Sequence, residues 1–256
     1  MNVLVLLAAI LFILMTLIGG KKGARSFIAL FLNFGVIFLT ILFMSNPSAN
    51  PIVISMITCT IITVITLFYV NEINLKTIAA FISTIITIVI LLLFIVMVTK
   101  KAMIQGFSEE EMEDISIFSL HIGVDFIKLG AAVIIMSTIG AIIDVAISIA
   151  SPMSERLNHN PLISRKDLFT FGINIGKDIL GTNTNTLFFA FVGGYLALVL
   201  WFKELSYSIG EVINSKVFSA ETITIFSAGI GIALVIPITS WITAYFCVRK
   251  RDKDFK

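Results

Sequence analysis

Apolar side chains fill seven long runs, at residues 2–18, 27–44, 52–70, 78–98, 129–149, 187–201 and 223–247, and most polar residues are confined to the breaks between them. A helix needs roughly 20 apolar residues to cross the hydrocarbon core, and an open sheet edge cannot be satisfied there, so each run predicts a transmembrane helix. The predicted fold class is all-α: a polytopic transmembrane helical bundle of about seven spans. The break GGKKGARS at 19–26 predicts a tight glycine turn, and the connection at 71–77 is equally short. Loops of this length force antiparallel neighbours, so residues 1–98 are expected to form a scaffold of four helices in hairpins. Residues 99–201 hold the polar-core helices, and residues 202–256 an interfacial helix, the last span and a basic tail. The whole chain, 1–256, reads as a single integral membrane domain.

Composition agrees: 58% of residues are hydrophobic, 13% are charged, and the mean hydropathy is +1.05, which leaves no stretch for a separate soluble domain. Residues 2–18 lack the basic n-region and cleavage site of a secretory signal and are kept as the first span. Cys59 and Cys247 are isolated in apolar runs, without metal-ligand spacing or a disulfide framework, so the expectation is packing, with no metal and no cofactor.

Charge adds orientation. Lys21, Lys22, Arg25, Lys76, Arg156, Arg165, Lys166, Lys177, Arg249, Lys250, Arg251, Lys253 and Lys256 fall at one set of helix ends, against Lys100, Lys101, Lys203 and Lys216 at the other. Basic ends stay inside, so the chain is expected in the cell (plasma) membrane, multi-pass, with its N-terminus outside and its C-terminus cytoplasmic. The basic tail reads as an anchor to anionic lipid; the expected partner is the bilayer, with no role in nucleic-acid binding.

Candidate chemistry concentrates between residues 121 and 194. Asp144 is the one charged residue of the run 129–150, and a carboxylate in lipid costs about 2.5 to 3.5 kcal/mol or more, so it must face protein or water. Gly130, Ser137, Asp144 and Ser151 recur every seven residues, with Ala141 and Ser148 on the same face. Such a stripe suits close helix packing, or the lining of a path for protons, ions or a polar solute. Pro152 is expected to end or kink the helix, and Ser164 with Asp167 has capping-box spacing for a new start near Arg165. Along that helix Asn174, Asp178, Gly181 and Asn185 share a face beside Lys177. The run GTNTNT at 181–186 is polar enough that it either lies at the cytoplasmic interface or belongs to a broken or re-entrant helix within 165–186.

Upstream, Glu109, Glu110, Glu111, Glu113 and Asp114 crowd a segment whose Ser108–Glu111 spacing predicts a helix start. His121, Asp125 and Lys128 then follow at i, i+4 and i+7, which on a continuing helix is one face with a bend near Gly123 or Gly130. Two readings stay open: a solvated helix start with an interfacial salt bridge, or a pH-sensing vestibule in which His121 and the carboxylates titrate. Gly229, Gly231 and Pro237 in the last run predict close packing or a kink.

The pattern Gly140, Ala141, Asp144, Ala146, Ser151 with Glu155, then Gly176, Asp178, Gly181 with Asn185, Thr186 and Leu187, and the opening Gly19, Gly20, Lys21, Lys22, Gly23, resembles the YibE/F family of bacterial membrane proteins. Longer members of that family have an extracellular region after their first span that is missing here, so the resemblance is to the short, YibF-like type and implies a long-form partner. It implies no catalytic residues.

Three function classes follow. A channel or carrier for a small polar solute or ion, a carboxylate or amino acid among the candidates, has its polar lining in Ser137, Asp144, Ser148, Ser151, Glu155, Asn174, Lys177, Asp178 and Asn185. A non-catalytic subunit of a membrane complex, as a homo-oligomer or with the long-form partner, is the second. An intramembrane enzyme is the third, and is disfavoured because no HExxH, GxSxG or Walker pattern is present.

Overall fold

A computed structural model of the chain describes residues 2–46, 48–102, 104, 125–204 and 206–254. The described residues are 91% helical and contain no strand. In chain order the helices are α1 (Val3–Met44), α2 (Pro51–Val64, prolonged by a π-helical turn over Ile65–Tyr69), α3 (Leu75–Ala102), α4 (Phe126–His159), α5 (Arg165–Gly194), α6 (Leu196–Glu204), α7 (Ile209–Asn214) and α8 (Lys216–Asp254). Five of these are long and apolar enough to cross a membrane, and α5 with α6 makes a sixth if the bent pair is one span.

The first of the five, α1, is not straight. Gly20 has φ 54° and ψ −138°, outside helical space, and the chain folds back there. Phe12 and Phe27 bring their rings to 5.0 Å, and a Cβ on Gly23 would run into the Met15 carbonyl. In a straight helix residues 15 and 23 would stand about 12 Å apart. The arms on either side of Gly20 are therefore the antiparallel pair expected from GGKKGARS. Counting them separately turns the six into seven apolar segments. A side chain is strained at this φ and ψ, and Gly20→Ala is expected to destabilise the fold by about 1–3 kcal/mol, read as a lower thermal midpoint in detergent.

The centre of the bundle is built by α3, α4 and α8. Ile88, Leu91 and Ile95 of α3, Ile135, Ile142 and Ile149 of α4, and Ile232 and Val235 of α8 are fully or almost fully buried. Small and hydroxyl residues let the axes close: a Cβ on Gly231 would stand 2.9 Å from Ile142 and 3.2 Å from Leu91. Helix α5 lies against α8 through Gly176, where a Cβ would overlap Ile236. Gly172 makes a similar approach, wedged against Met153 of α4 and Ser240 of α8. Arm two of α1 is tied to α2 by hydrogen bonds of Thr40 with Thr58 (2.6 Å) and of Asn33 with Thr66 (3.2 Å).

One end of the bundle gathers basic residues. Arg25 pairs with Glu72 at 2.8 Å, joining the turn of α1 to the turn before α3. Arg251 donates to the carbonyls of Pro161 and Ile163 at 3.0 and 2.9 Å, joining the end of α8 to the α4–α5 turn. Lys177, grouped with this end by sequence, lies about 18 Å along α5 from Arg165. Taking it out leaves the asymmetry intact.

Two sequence expectations need correction. Pro152 neither ends nor replaces helix: α4 runs through it to His159, leaving the Ser148 carbonyl without its i+4 donor. Residues 165–186 are unbroken helix; the break comes at Tyr195, where α5 and α6 meet at 55°. Pro237 lies within α8, and the close packing expected of that run is seen at Gly231. Between α6 and α8 the expected interfacial helix is the single turn and a half of α7, closed by a Ser208–Glu211 capping box and presenting exposed Ile209 and Ile213.

Candidate functional site

The α5 cap forms as its spacing predicts. Ser164 Oγ accepts the Asp167 N–H at 3.1 Å and donates to the Asp167 carboxylate at 2.7 Å. From there the polar residues of α5 sort into two groups. Thr182, Thr184 and Thr186 donate their hydroxyls to the carbonyls of Ile179, Leu180 and Thr182, and Asn183 donates to Ile179, all at 2.8–3.0 Å. Back-bonding of this kind satisfies short polar side chains within the helix itself, which is why GTNTNT stays helical. Asn174, Lys177, Asp178 and Asn185 are different: all four are exposed, and none has a hydrogen-bond or ion-pair partner among the described residues.

Helix α4 presents a matching stripe. Val133, Ser137, Gly140, Asp144, Ser148 and Glu155 are exposed and Ser151 is half-buried, while Ile142, Ile143, Val145 and Ala146 on the opposite side are buried. Ser137 is satisfied by the Val133 carbonyl at 2.9 Å. Asp144, like Ser148 and Ser151, has no partner among the described residues. The middle of this face, at Ser137, Asp144 and Ser148, points away from the core of its own chain, while Gly130 lies against Thr99 of α3.

Three close approaches fix the relative height of the two stripes. Gly172 of α5 meets Met153 of α4, Gly231 of α8 meets Ile142, and Gly229 of α8 meets Thr184. Because α4 and α5 are antiparallel, nine residues along each from the first approach put Asp144 roughly level with Gly181. The approaches through α8 put Ile142 near Thr184, in agreement. Asp144 therefore shares its depth with the face bearing Asp178, Gly181 and Asn185. The clefts beside α4 do not enclose it: a space of about 510 Å³ between α1 and α4 is lined by Ile37, Met44, Val133, Met136 and Ser137 and is mainly apolar.

Asp125 corrects the upstream reading. It is the N-cap of α4, with φ −76° and ψ 98°, so α4 begins after it and no helix runs continuously through it. Its carboxylate accepts the N–H groups of Ile127 and Lys128 (3.1 and 3.2 Å) and pairs with the Lys128 ammonium at 3.0 Å. The Lys128 side chain and these N–H groups hold its pKa below the ordinary carboxylate value. A depressed folded-state pKa contributes stability above the unfolded value and loses it as pH falls through the folded value. Asp125 thus stays ionised between pH 7.5 and 5. We expect Asp125→Ala to cost about 1 kcal/mol, as lost caps do, with no change in that cost across this interval, measured by thermal unfolding at each pH. His121, Glu109, Glu110 and Glu111 lie outside the described residues.

Among the described residues no three His, Cys, Asp or Glu side chains are placed to hold a metal ion. Sequence reasoning missed two ties. Tyr195 donates its hydroxyl to Glu221 at 2.7 Å, fastening the α5–α6 bend to the start of α8, and Arg251 bridges to the α4–α5 turn as described above.

The family model of the YibE/F-like protein matches residues 7–249. The chain belongs to the YibE/F-like family. The match runs from the first arm of α1 into the last turns of α8, so both polar stripes, the Gly20 turn and the α5–α8 contact are parts of the YibE/F-like unit. No curated protein and no solved structure matches the chain.

Proposed function

We propose that this protein carries a small polar solute or ion across the cell membrane, along a path bounded by the outward faces of α4 and α5 and closed by a neighbouring chain. The observation that carries this reading is Asp144: a carboxylate at membrane depth, exposed on the single chain, without a partner, and level with an equally unpartnered face of α5. Lipid contact would cost it a few kcal/mol, whereas water or a neighbouring subunit would solvate it. Gly140 and Gly181 leave open space for a second backbone, since a Cβ on either meets nothing within 4 Å. The neighbour is a second copy or a long-form family member, and the basic helix ends face the cytoplasm.

Vesicles containing the purified protein, alone and with the long-form partner, would be assayed for flux of protons, sodium, potassium, small carboxylates and amino acids. Flux of one class above protein-free vesicles, reduced at least about tenfold by Asp144→Asn, is expected; tenfold corresponds to ~1.4 kcal/mol, less than the charge is worth at that depth. Absence of flux for every class in both preparations would leave the protein as a non-transporting subunit of a membrane complex.

A further inference from the structure

A second site lies at the basic end of the bundle, away from the polar stripes. The last turns of α4 and α8, the first residue of α3 and the α4–α5 turn enclose a cavity of about 290 Å³. That is close to the lower end of small-molecule sites, roughly 300 Å³ upward. Its polar wall is Ser154, Asn158, Lys250 and Arg251, and its apolar wall includes Leu75 and Leu157; among the described residues no carboxylate lines it. Arg251 is fixed in position by the Pro161 and Ile163 carbonyls. Lys250 is exposed and has no partner among the described residues, and Ser154 and Asn158 make no hydrogen bond to a described residue.

The electrostatic balance favours an anion. The cationic side chains of Lys250 and Arg251 and the N-terminus of the 28-residue α3 face the space, against the C-terminal ends of α4 and α8. Helix ends carry only about half a charge each, so one N-terminus against two C-termini leaves about half a negative charge and the side chains decide. The Asn160 N–H already takes up one of the last α4 carbonyls, that of Arg156, at 3.0 Å. The site also sits where apolar helix surface gives way to basic turns, the level of phospholipid headgroups. An apolar wall beside fixed cations suits a phosphodiester that arrives with its glycerol and acyl chains.

We propose that this cavity binds the phosphate of an anionic phospholipid, with Lys250 and Arg251 as its cations and Ser154 and Asn158 as neutral donors. The site fastens the ends of α3, α4 and α8 to one headgroup and is independent of transport along α4 and α5.

The test is intact-complex mass spectrometry of the purified protein in detergent, titrated separately with phosphatidylglycerol, phosphatidylcholine and inorganic phosphate. Phosphatidylglycerol is expected to bind in preference to phosphatidylcholine. Lys250→Gln should weaken it about fivefold, since a lysine near the membrane surface contributes about 1 kcal/mol, while Lys250→Arg retains it. Lys22→Gln, at the same end of the bundle on the α1 turn, should leave binding unchanged. Asn158→Leu, which alters the lining without touching a charge, should also weaken binding, and unchanged helix content of each variant confirms its fold. Equal retention of the two lipids, or equal losses in Lys250→Gln and Lys22→Gln, would overturn the site in favour of diffuse surface attraction. Displacement of the lipid by inorganic phosphate at equal concentration would overturn the lipid assignment and make free phosphate the ligand.

Discussion

Gly176→Leu is expected to lower the thermal midpoint of the detergent-solubilised protein by roughly 2 to 12 °C, or to abolish recovery of folded protein, whereas Gly181→Leu leaves the midpoint where it was. The two glycines are five residues apart on α5 and differ in what they face. A Cβ at 176 would overlap Ile236, which is itself 6% exposed and pressed into α8. Neither helix can retreat, because Gly172 holds the same pair together one turn earlier against Ser240, and α8 is packed on its other side against Ile142. Overpacking of such a contact costs about 1–3 kcal/mol and occasionally more, and each kcal/mol moves the midpoint of a chain this size by roughly 2–4 °C. At 181 a Cβ meets nothing. Equal destabilisation by the two leucines would mean that α5 is not packed on α8 through this face.

What was legible in the sequence follows from which rules are local. The glycine turn at 20, the Ser164 cap and the apolar segments are set by the residues that form them, and the chain reads correctly there. The face bearing Asp144 was legible as a face, because helical period decides which residues lie together. Its direction was not: period says nothing about which side of α4 the other helices cover, and only the burial of Ile142, Val145 and Ala146 shows that Asp144 looks outward. The break near residue 181 was misplaced for a chemical reason. Threonine and asparagine weaken a helix when their side chains compete for its backbone, yet here they donate to carbonyls three and four residues back and fit within it. Pro152 does not end α4 because a missing N–H in the last turns of a long helix frees a single carbonyl, that of Ser148, which is too little to stop a helix held by tertiary packing. The basic cavity could not be found in advance, since Ser154, Lys250 and Leu75 come from three distant parts of the chain.

The same outward faces give the last expected result: in Gly140→Leu with Gly181→Leu, assembly and flux should fall together while the fold of the single chain persists. Both positions are open in the chain: a Cβ added at either meets no atom of its own subunit within 4 Å. The added leucines would meet a neighbour if α4 and α5 lie against one, because glycines on a transmembrane face allow backbones to approach closely. An overpacked contact of that kind costs about 1–3 kcal/mol, which weakens association roughly 5- to 150-fold. The measurement pairs particle mass in mild detergent with flux in vesicles, using the wild-type thermal midpoint as the criterion that the chain is folded. Loss of the larger particle with retained flux would place the path within one chain. Retention of both would remove α4 and α5 from the interface and leave Asp144 to be solvated by water or headgroups alone. Asp144→Asn separates charge from shape: it keeps the volume of the side chain, so a neighbour can still dock, and its effect should fall on flux before it falls on particle mass.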